Sequence, residues 1–341
     1  MNGWCVLLHR PTNRLTNIAD CGIRISELGE TRLQLTIHCL PNPHQPSTIN
    51  HQPIKMRFTS TLLAIAASML LFSCARTRIK EKEEWGKIFE QHGVKNGCFI
   101  LRDNNHESVY YYNLQRDSTR FLPASTFKIF NSLVALETGV APDDQLIIKW
   151  DSVKRRPEWD KDMDMREAFK VSCVPYYQEI ARRIGKERMQ HYLDTTRYGN
   201  MRMGGAIDMF WLNDTLKISA DEQLGFVKRL YFNELPFSER SQRIVRSLML
   251  REDSTSKGYK LYYKTGWGQL PNKNVLWIVG FAEKIVAVKE PKESMNKSDE
   301  RIYPYFFAMN FELPADAAVD KWAQVRIDLV HDFLRNYGVI Q

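Results

Sequence analysis

Ser125-Thr126-Phe127-Lys128 sets a hydroxyl and an amine three residues apart at the head of an apolar run. On a helix, positions i and i+3 share a face, so the two groups can approach each other. Phe127 and Phe130 imply an apolar setting, which lowers a lysine pKa by disfavouring the charged form. A neutral amine can take a proton from the hydroxyl; it can also add carbon dioxide to become a carbamate. The tetrad alone is weak, because the chain has two further S-x-x-K matches, at 254–257 and 294–297. Those two sit in polar stretches, and only Ser125 opens an apolar helical pattern.

Another base for that serine is hard to find. Beyond residue 74 the histidines are His92, His106, His191 and His331, scattered and never spaced as i, i+4 ligand pairs. Metal hydrolysis and a serine–histidine triad are therefore poorly supported, and no metal is expected. There is no G-x-S-x-G elbow, phosphate-binding loop or G-x-G-x-x-G. Three short motifs follow the tetrad in order. Ser172-Cys173-Val174 precedes Pro175, Tyr198-Gly199-Asn200 closes a helical stretch, and Lys264-Thr265-Gly266 ends a strand pattern. Each has a bland reading: Ser172 as a helix cap, 198–200 as a turn, Lys264 as a strand-end charge beside a glycine kink. All four motifs in one order point instead to an assembled site.

The elements that must position these groups are legible as patterns. Residues 97–103 and 109–113, separated by a polar stretch, read as a β-hairpin. Residues 125–137 carry Phe127, Phe130, Leu133, Val134 and Leu136 at helical spacing, with Gly139 as a stop. From about 141 to 250 helical signals dominate: Pro175 opens a helix running towards Gly185, and 220–231 and 238–250 give two more. Strand patterns return at 259–264, 275–282, 285–288 and 305–311. Residues 320–337 place Trp322, Val325, Leu329 and Phe333 or Leu334 on one helical face. The expectation is an α+β fold: an antiparallel sheet that unites both ends of the chain, flanked by helices, with a mostly helical subdomain inserted at about 141–250. Cys98 and Cys173 are expected as free, buried thiols.

The four motifs are joined by residues 177–185, by Phe210-Trp211-Leu212 with Ile218-Ser219-Ala220, and by Val325-Arg326-Ile327. Together, over about 85–340, they make the chain resemble the penicillin-recognising serine enzymes, and within them the class D (oxacillin-hydrolysing) β-lactamases. The apolar Val174 decides the subfamily, since penicillin-binding proteins usually have asparagine at that place. The resemblance implies that Ser125 attacks a β-lactam carbonyl and that a carbamate on Lys128 is the base for acylation and deacylation. No cofactor is implied beyond the carbon dioxide or bicarbonate that carboxylates Lys128. Trp211 would donate its indole N–H to the carbamate, and Ser172 and Lys264 would relay a proton to the departing nitrogen. Thr265 and Arg326 would bind the substrate carboxylate. The backbone of Ser125 and Trp267, next to Gly266, would form the oxyanion hole. Val174, Tyr198 and Asn200 would support the site. Bland readings stand beside two of these: Trp211 as plain core and Arg326 in a surface ion pair. Cys173 departs from the small or aliphatic residue expected inside the S-x-V motif. The alternatives are a penicillin-binding transpeptidase or carboxypeptidase, a β-lactam sensor that acylates without turnover, and a non-catalytic lipoprotein binding module.

The 341 residues are 43% hydrophobic and 26% charged, which favours one or two globular domains over disorder. The net charge of +8 is spread along the chain and gives no nucleic-acid arm. The longest apolar run is well short of the roughly 18 residues of a membrane span. Oligomeric state is left open. Lys55, Met56 and Arg57 precede an apolar stretch at 62–72 and Leu71-Phe72-Ser73-Cys74, a leader plan whose end resembles a bacterial lipoprotein cleavage box. An exported, periplasmic protein follows, tethered to a membrane where Cys74 carries lipid. Phe72 fits that box imperfectly, leaving ordinary leader cleavage as an alternative, and a short core helix is the bland reading. Residues 1–55, ahead of such a leader, are expected to be translated non-coding sequence or a disordered extension, with Met56 the true start and 75–341 the catalytic domain. Protein isolated from its native cell should then yield no peptides from 1–55 by mass spectrometry; recovering them would overturn this reading.

Overall fold

The structure, a computed structural model, describes residues 21–27, 33–39, 77–287 and 300–341. The chain divides into two units, Met1–Cys74 and Ala75–Gln341. In the first, β1 (Cys21–Glu27) and β2 (Leu33–Cys39) pair antiparallel, with Ile23 opposite Ile37 and Ile25 opposite Leu35. Apolar and polar residues do alternate in both segments, over runs too short to stand out from their surroundings. The expected leader at 56–74, with Cys74, lies outside the described residues.

The second unit runs β3 (Arg78–Glu81), α1 (Trp85–Gln91), β4 (Gly97–Asp103), β5 (Ser108–Tyr112) and α2 (Leu114–Asp117). A 3-10 turn (Ala124–Phe127) leads into α3 (Lys128–Glu137), followed by α4 (Met165–Lys170), α5 (Val174–Ile184), α6 (Lys186–Thr196), α7 (Ala220–Tyr231) and α8 (Glu239–Met249). The chain closes with β6 (Leu250–Ser254), β7 (Tyr259–Leu270), β8 (Lys273–Ala287), β9 (Glu300–Pro314) and α9 (Val319–Tyr337). Among the described residues these strands form one sheet in the order β3-β5-β4-β9-β8-β7-β6. β4 pairs with β9, so the sheet joins the two ends of the chain as the α+β expectation requires.

Three details differ from the sequence reading. The sheet is mixed, not purely antiparallel: β3 lies parallel to β5, because the chain crosses α1 and β4 before returning in the same direction. Lys264-Thr265-Gly266 does not end a strand. β7 continues to Leu270 and stays paired with β8 throughout, since Gly266 and Gly268 let the backbone pass close to its neighbours. Residues 275–282 and 285–287 belong to one strand, Lys273–Ala287, and Val288 lies outside the described residues. The charged step Glu283-Lys284 is tolerated because the Tyr231 and Tyr262 hydroxyls donate to Glu283 at 3.0 and 3.1 Å.

Helices cover both faces of the sheet. On one, Trp85 and Phe89 of α1 and Leu329, Phe333 and Leu334 of α9 pack on Phe99, Leu101, Ile278 and Phe307. The Phe99 and Phe333 rings stack with centroids 4.2 Å apart. On the other, the helical subdomain packs against Ile100, Val279, Phe306 and Ala308 around α3, which is buried from Lys128 to Leu136. Helix ends carry ordinary caps, such as the Ser219–Glu222 capping box of α7 and Gly338 after α9. Phe99→Ala should lower the unfolding free energy by about 3–5 kcal/mol, measured as a drop in denaturant midpoint at unchanged slope.

Candidate active site

Ser125 sits in the 3-10 turn and Lys128 on the first residue of α3, so the helix expected from 125 begins with a tighter turn. In that geometry side chains three apart eclipse, and Lys128 Nζ donates to Ser125 Oγ at 2.9 Å. The turn is entered through Ala124 in the left-handed region at φ +48°, strain of the kind that concentrates at functional sites. Lys128 is 1% exposed, its Nζ 5.3 Å from the centroid of the Tyr177 ring. Burial pushes its pKa down to about 7, because removal from water disfavours the ammonium form.

Ser172 also has a left-handed backbone, φ +59°, in the turn between α4 and α5. Its hydroxyl accepts a bond from Lys264 Nζ at 3.0 Å; Lys264 also donates to the Thr265 carbonyl at 2.9 Å. The helix-cap reading of Ser172 is corrected: Cys173 is the N-cap of α5 and caps with no side-chain bond. Val174, half-buried, starts that helix and Pro175 suits its first turn. Lys264 is 1% exposed and is held well below its usual pKa, first by burial and then by the positive charges of Lys128, Arg251 and Arg326. Cys98 and Cys173 are both free and buried.

Trp211 is fully buried and stacks on Phe127, centroids 5.2 Å apart at 21°. Its carbonyl accepts the Ala124 N–H at 3.2 Å, while its indole Nε1 is buried with no partner among the described residues. A buried donor left unpaired costs about 1–3 kcal/mol. Tyr198-Gly199-Asn200 clamps the segment that carries Trp211. Tyr198 packs edge-on to Phe127 and Phe226. Gly199 has φ +55°, and a Cβ there would lie 2.1 Å from the Lys217 carbonyl oxygen, so no side chain fits. Asn200 donates to the Thr215 carbonyl at 2.9 Å and accepts the Lys217 N–H at 3.0 Å.

β7 lies directly against the nucleophile turn. A Cβ on Gly266 would stand 3.0 Å from the Pro123 carbonyl and 3.1 Å from Thr126 Cγ2, so a side chain there would crowd the turn and press the strand away from it. Strand alternation puts Thr265 and Trp267 on the face of β7 towards α9. From α9, Arg326 Nη1 donates to the Gly266 carbonyl at 2.8 Å, and its buried Nε has no partner. Burial lowers the Arg326 pKa to about 10, leaving it a cation at neutral pH. Its burial and its bond to the Gly266 carbonyl differ from the surface ion pair of the bland reading. Trp267 donates its indole N–H to Asn274 Oδ1 at 2.8 Å.

Motif reading missed two supports. Gln223 of α7, fully buried, donates to Thr126 Oγ1 at 2.7 Å, and Thr126 donates on to the Pro123 carbonyl at 2.7 Å. Phe169 and Tyr177 provide aromatic walls beside Lys264 and Lys128. A buried glutamine among helical apolar residues was a signal; single aromatic residues in helices were none.

Residues 97–302 match the penicillin binding protein transpeptidase domain family. β-lactamase OXA-5 of Pseudomonas aeruginosa is 39% identical over 257 residues, covering 73% of this chain and 89% of that protein. β-lactamase OXA-48 of Klebsiella pneumoniae is 38% identical over 251 residues, covering 73% and 88%. Among solved structures, the class D β-lactamase FUS-1 (OXA-85) of Fusobacterium nucleatum subsp. polymorphum superposes with a TM-score of 0.67 at 36% identity, over 76% of this chain and 100% of that one. The class D β-lactamase YbXI from Nostoc gives 0.66 at 39% identity, over 75% and 99%.

The Lys128 amine is an ammonium below its pKa of about 7 and neutral above it. Labelling of Ser125 by a fluorophosphonate should therefore accelerate as pH rises through that value and then level off. Lys128→Met should label roughly 10²–10⁴-fold more slowly and without the inflection, as timed by mass spectrometry.

Proposed function

The chain belongs to the class D β-lactamases, and from that premise we propose how its own residues open the β-lactam ring of penicillin-type antibiotics and so confer resistance. The observation that carries the reading is the 2.9 Å contact between the Ser125 hydroxyl and a buried Lys128 amine that is half deprotonated near neutral pH. Lysine in that state is free to be carboxylated, and it stands where the Ser125 proton must go as the hydroxyl attacks the carbonyl and forms an acyl-enzyme.

The surrounding residues fit a carboxylated Lys128. The amine is neutral enough to add carbon dioxide, and the partnerless Trp211 indole N–H is a donor that such an anion would satisfy. Bound there, the carbamate supplies a base for both acylation and deacylation. The chain's other groups have separate work. Ser172 and Lys264, already hydrogen-bonded, pass a proton to the departing ring nitrogen. The backbone N–H groups of Ser125 and Trp267 hold the developing oxyanion, each donor being worth about 3–4 kcal/mol in other hydrolases. Thr265 and the Arg326 guanidinium, on one side of β7, take the substrate carboxylate. Gly266 keeps that strand against the turn, and Val174 keeps the neighbourhood of Lys128 apolar.

Export belongs to the same reading. Residues 56–74 act as a leader that delivers a periplasmic enzyme, and Cys74, where lipidated, tethers it to a membrane. A transpeptidase or sensor would acylate through the same serine, but Val174 and the close likeness to OXA enzymes favour turnover. Nitrocefin should be hydrolysed over many cycles with a rate that rises on adding bicarbonate. Lys128→Ala should lose roughly 10²–10⁴-fold in kcat/KM, and Trp211→Phe should need more bicarbonate for half-maximal rate. A single stoichiometric acylation by the wild type would favour the sensor or transpeptidase instead.

A further inference from the structure

The strand after α8 breaks register at one residue. Leu250 stands opposite Tyr262 and Glu252 opposite Leu261, so Arg251 is the extra residue of a β-bulge in β6. Bulges re-aim the side chains they carry and are common beside active sites. Here the half-buried guanidinium reaches α4: Nη2 donates to the Phe169 carbonyl at 3.2 Å, and Nε lies 3.4 Å from the Tyr263 carbonyl. The same Phe169 carbonyl accepts the Ser172 backbone N–H at 3.3 Å. The Phe169 ring centroid lies 5.4 Å from the Arg251 guanidinium and 5.6 Å from Lys264 Nζ. One residue in the last turn of α4 thus touches Arg251 and both members of the Ser172–Lys264 pair.

We propose that Arg251 is a positioning residue for the reaction: by gripping the Phe169 carbonyl, it fixes the left-handed turn that brings the Ser172 hydroxyl to Lys264. The assignment rests on the reading of Ser172 and Lys264 as a proton relay. Arg251 is also a fixed cation that presses Lys264 towards its neutral form. Lys128 and Arg326 press the same way, and Tyr263 and Tyr177 are the titratable groups that act on Arg251 itself. Lysine at this place keeps the charge but not the planar fork, and methionine keeps neither.

Single-turnover acylation by nitrocefin, followed across pH, tests the assignment. In Arg251→Met the acylation rate should fall about ten- to hundredfold, the scale of a small misplacement of a reacting group, with nitrocefin binding unchanged. The part of the pH profile set by Lys264 should move to higher pH. Arg251→Lys should return that inflection to its wild-type position while recovering only part of the rate. Arg251→Met acylating at the wild-type rate and with the wild-type profile would overturn the proposal, as would a slow variant whose profile has not moved. Where Arg251→Met does not fold, Arg251→Gln is compared with Arg251→Lys, and identical profiles in those two overturn it. Ser172→Ala separates the two readings: undiminished acylation there sinks the relay itself, whereas an unaffected Arg251→Met beside a crippled Ser172→Ala sinks only the role of Arg251.

Discussion

Burial of the Lys128 amine, with no carboxylate paired to it among the described residues, is the constraint on which the rest of the site depends. Moving a lysine pKa from 10.5 to about 7 corresponds to on the order of 5 kcal/mol of discrimination against the charged form. That cost is met by packing. α3 is buried on all sides, Phe127 stacks on Trp211, and Tyr177 closes over the amine. Removal from bulk water in this way is what disfavours the ammonium form. The Tyr198-Gly199-Asn200 clamp then has a physical purpose, since it anchors the segment that follows Trp211, whose ring stacks on Phe127.

The second consequence is electrostatic. Lys264 feels Lys128, Arg251 and Arg326 as like charges, so the centre holds a surplus of buried or half-buried positive groups. Such a field is tolerable because both lysines can shed protons, while the arginines cannot. It also favours an anionic guest, whether the carboxylate of a substrate or an oxyanion developing on the serine. Protonation states and guest charge are therefore coupled: a group that enters with negative charge relaxes the pressure that keeps the lysines neutral.

The chemistry was more legible in the sequence than the geometry that makes it work. Residue types and spacing named the Ser125–Lys128 pair, because the two are local, whereas the pairing of Ser172 with Lys264 came only with the resemblance to class D enzymes. The helices at 174–184, 220–231 and 239–249 were legible too, since their apolar stripes and caps are local signals. What pattern reading could not give is backbone strain and close approach. Nothing in the words Ala124 or Ser172 announces a left-handed backbone, and β7 was read as stopping at Gly266 because glycine resembles a terminator when its neighbour across space is unknown. The bulge at Arg251 was hidden for a similar reason: register is a property of two strands, and neither carries it alone.

The pairing of β4 with β9 joins residues 97–103 to partners at 305–311. A growing chain cannot complete its central sheet until almost the last residue of that partner strand has been released, so β4 must wait with a bare edge while the helical layer is synthesised. Contacts that span so much of the polypeptide slow folding, and an unpaired edge is an invitation to aggregation. The same closure that supports the serine turn therefore makes the newborn protein depend on whatever shields unfinished chains in its compartment.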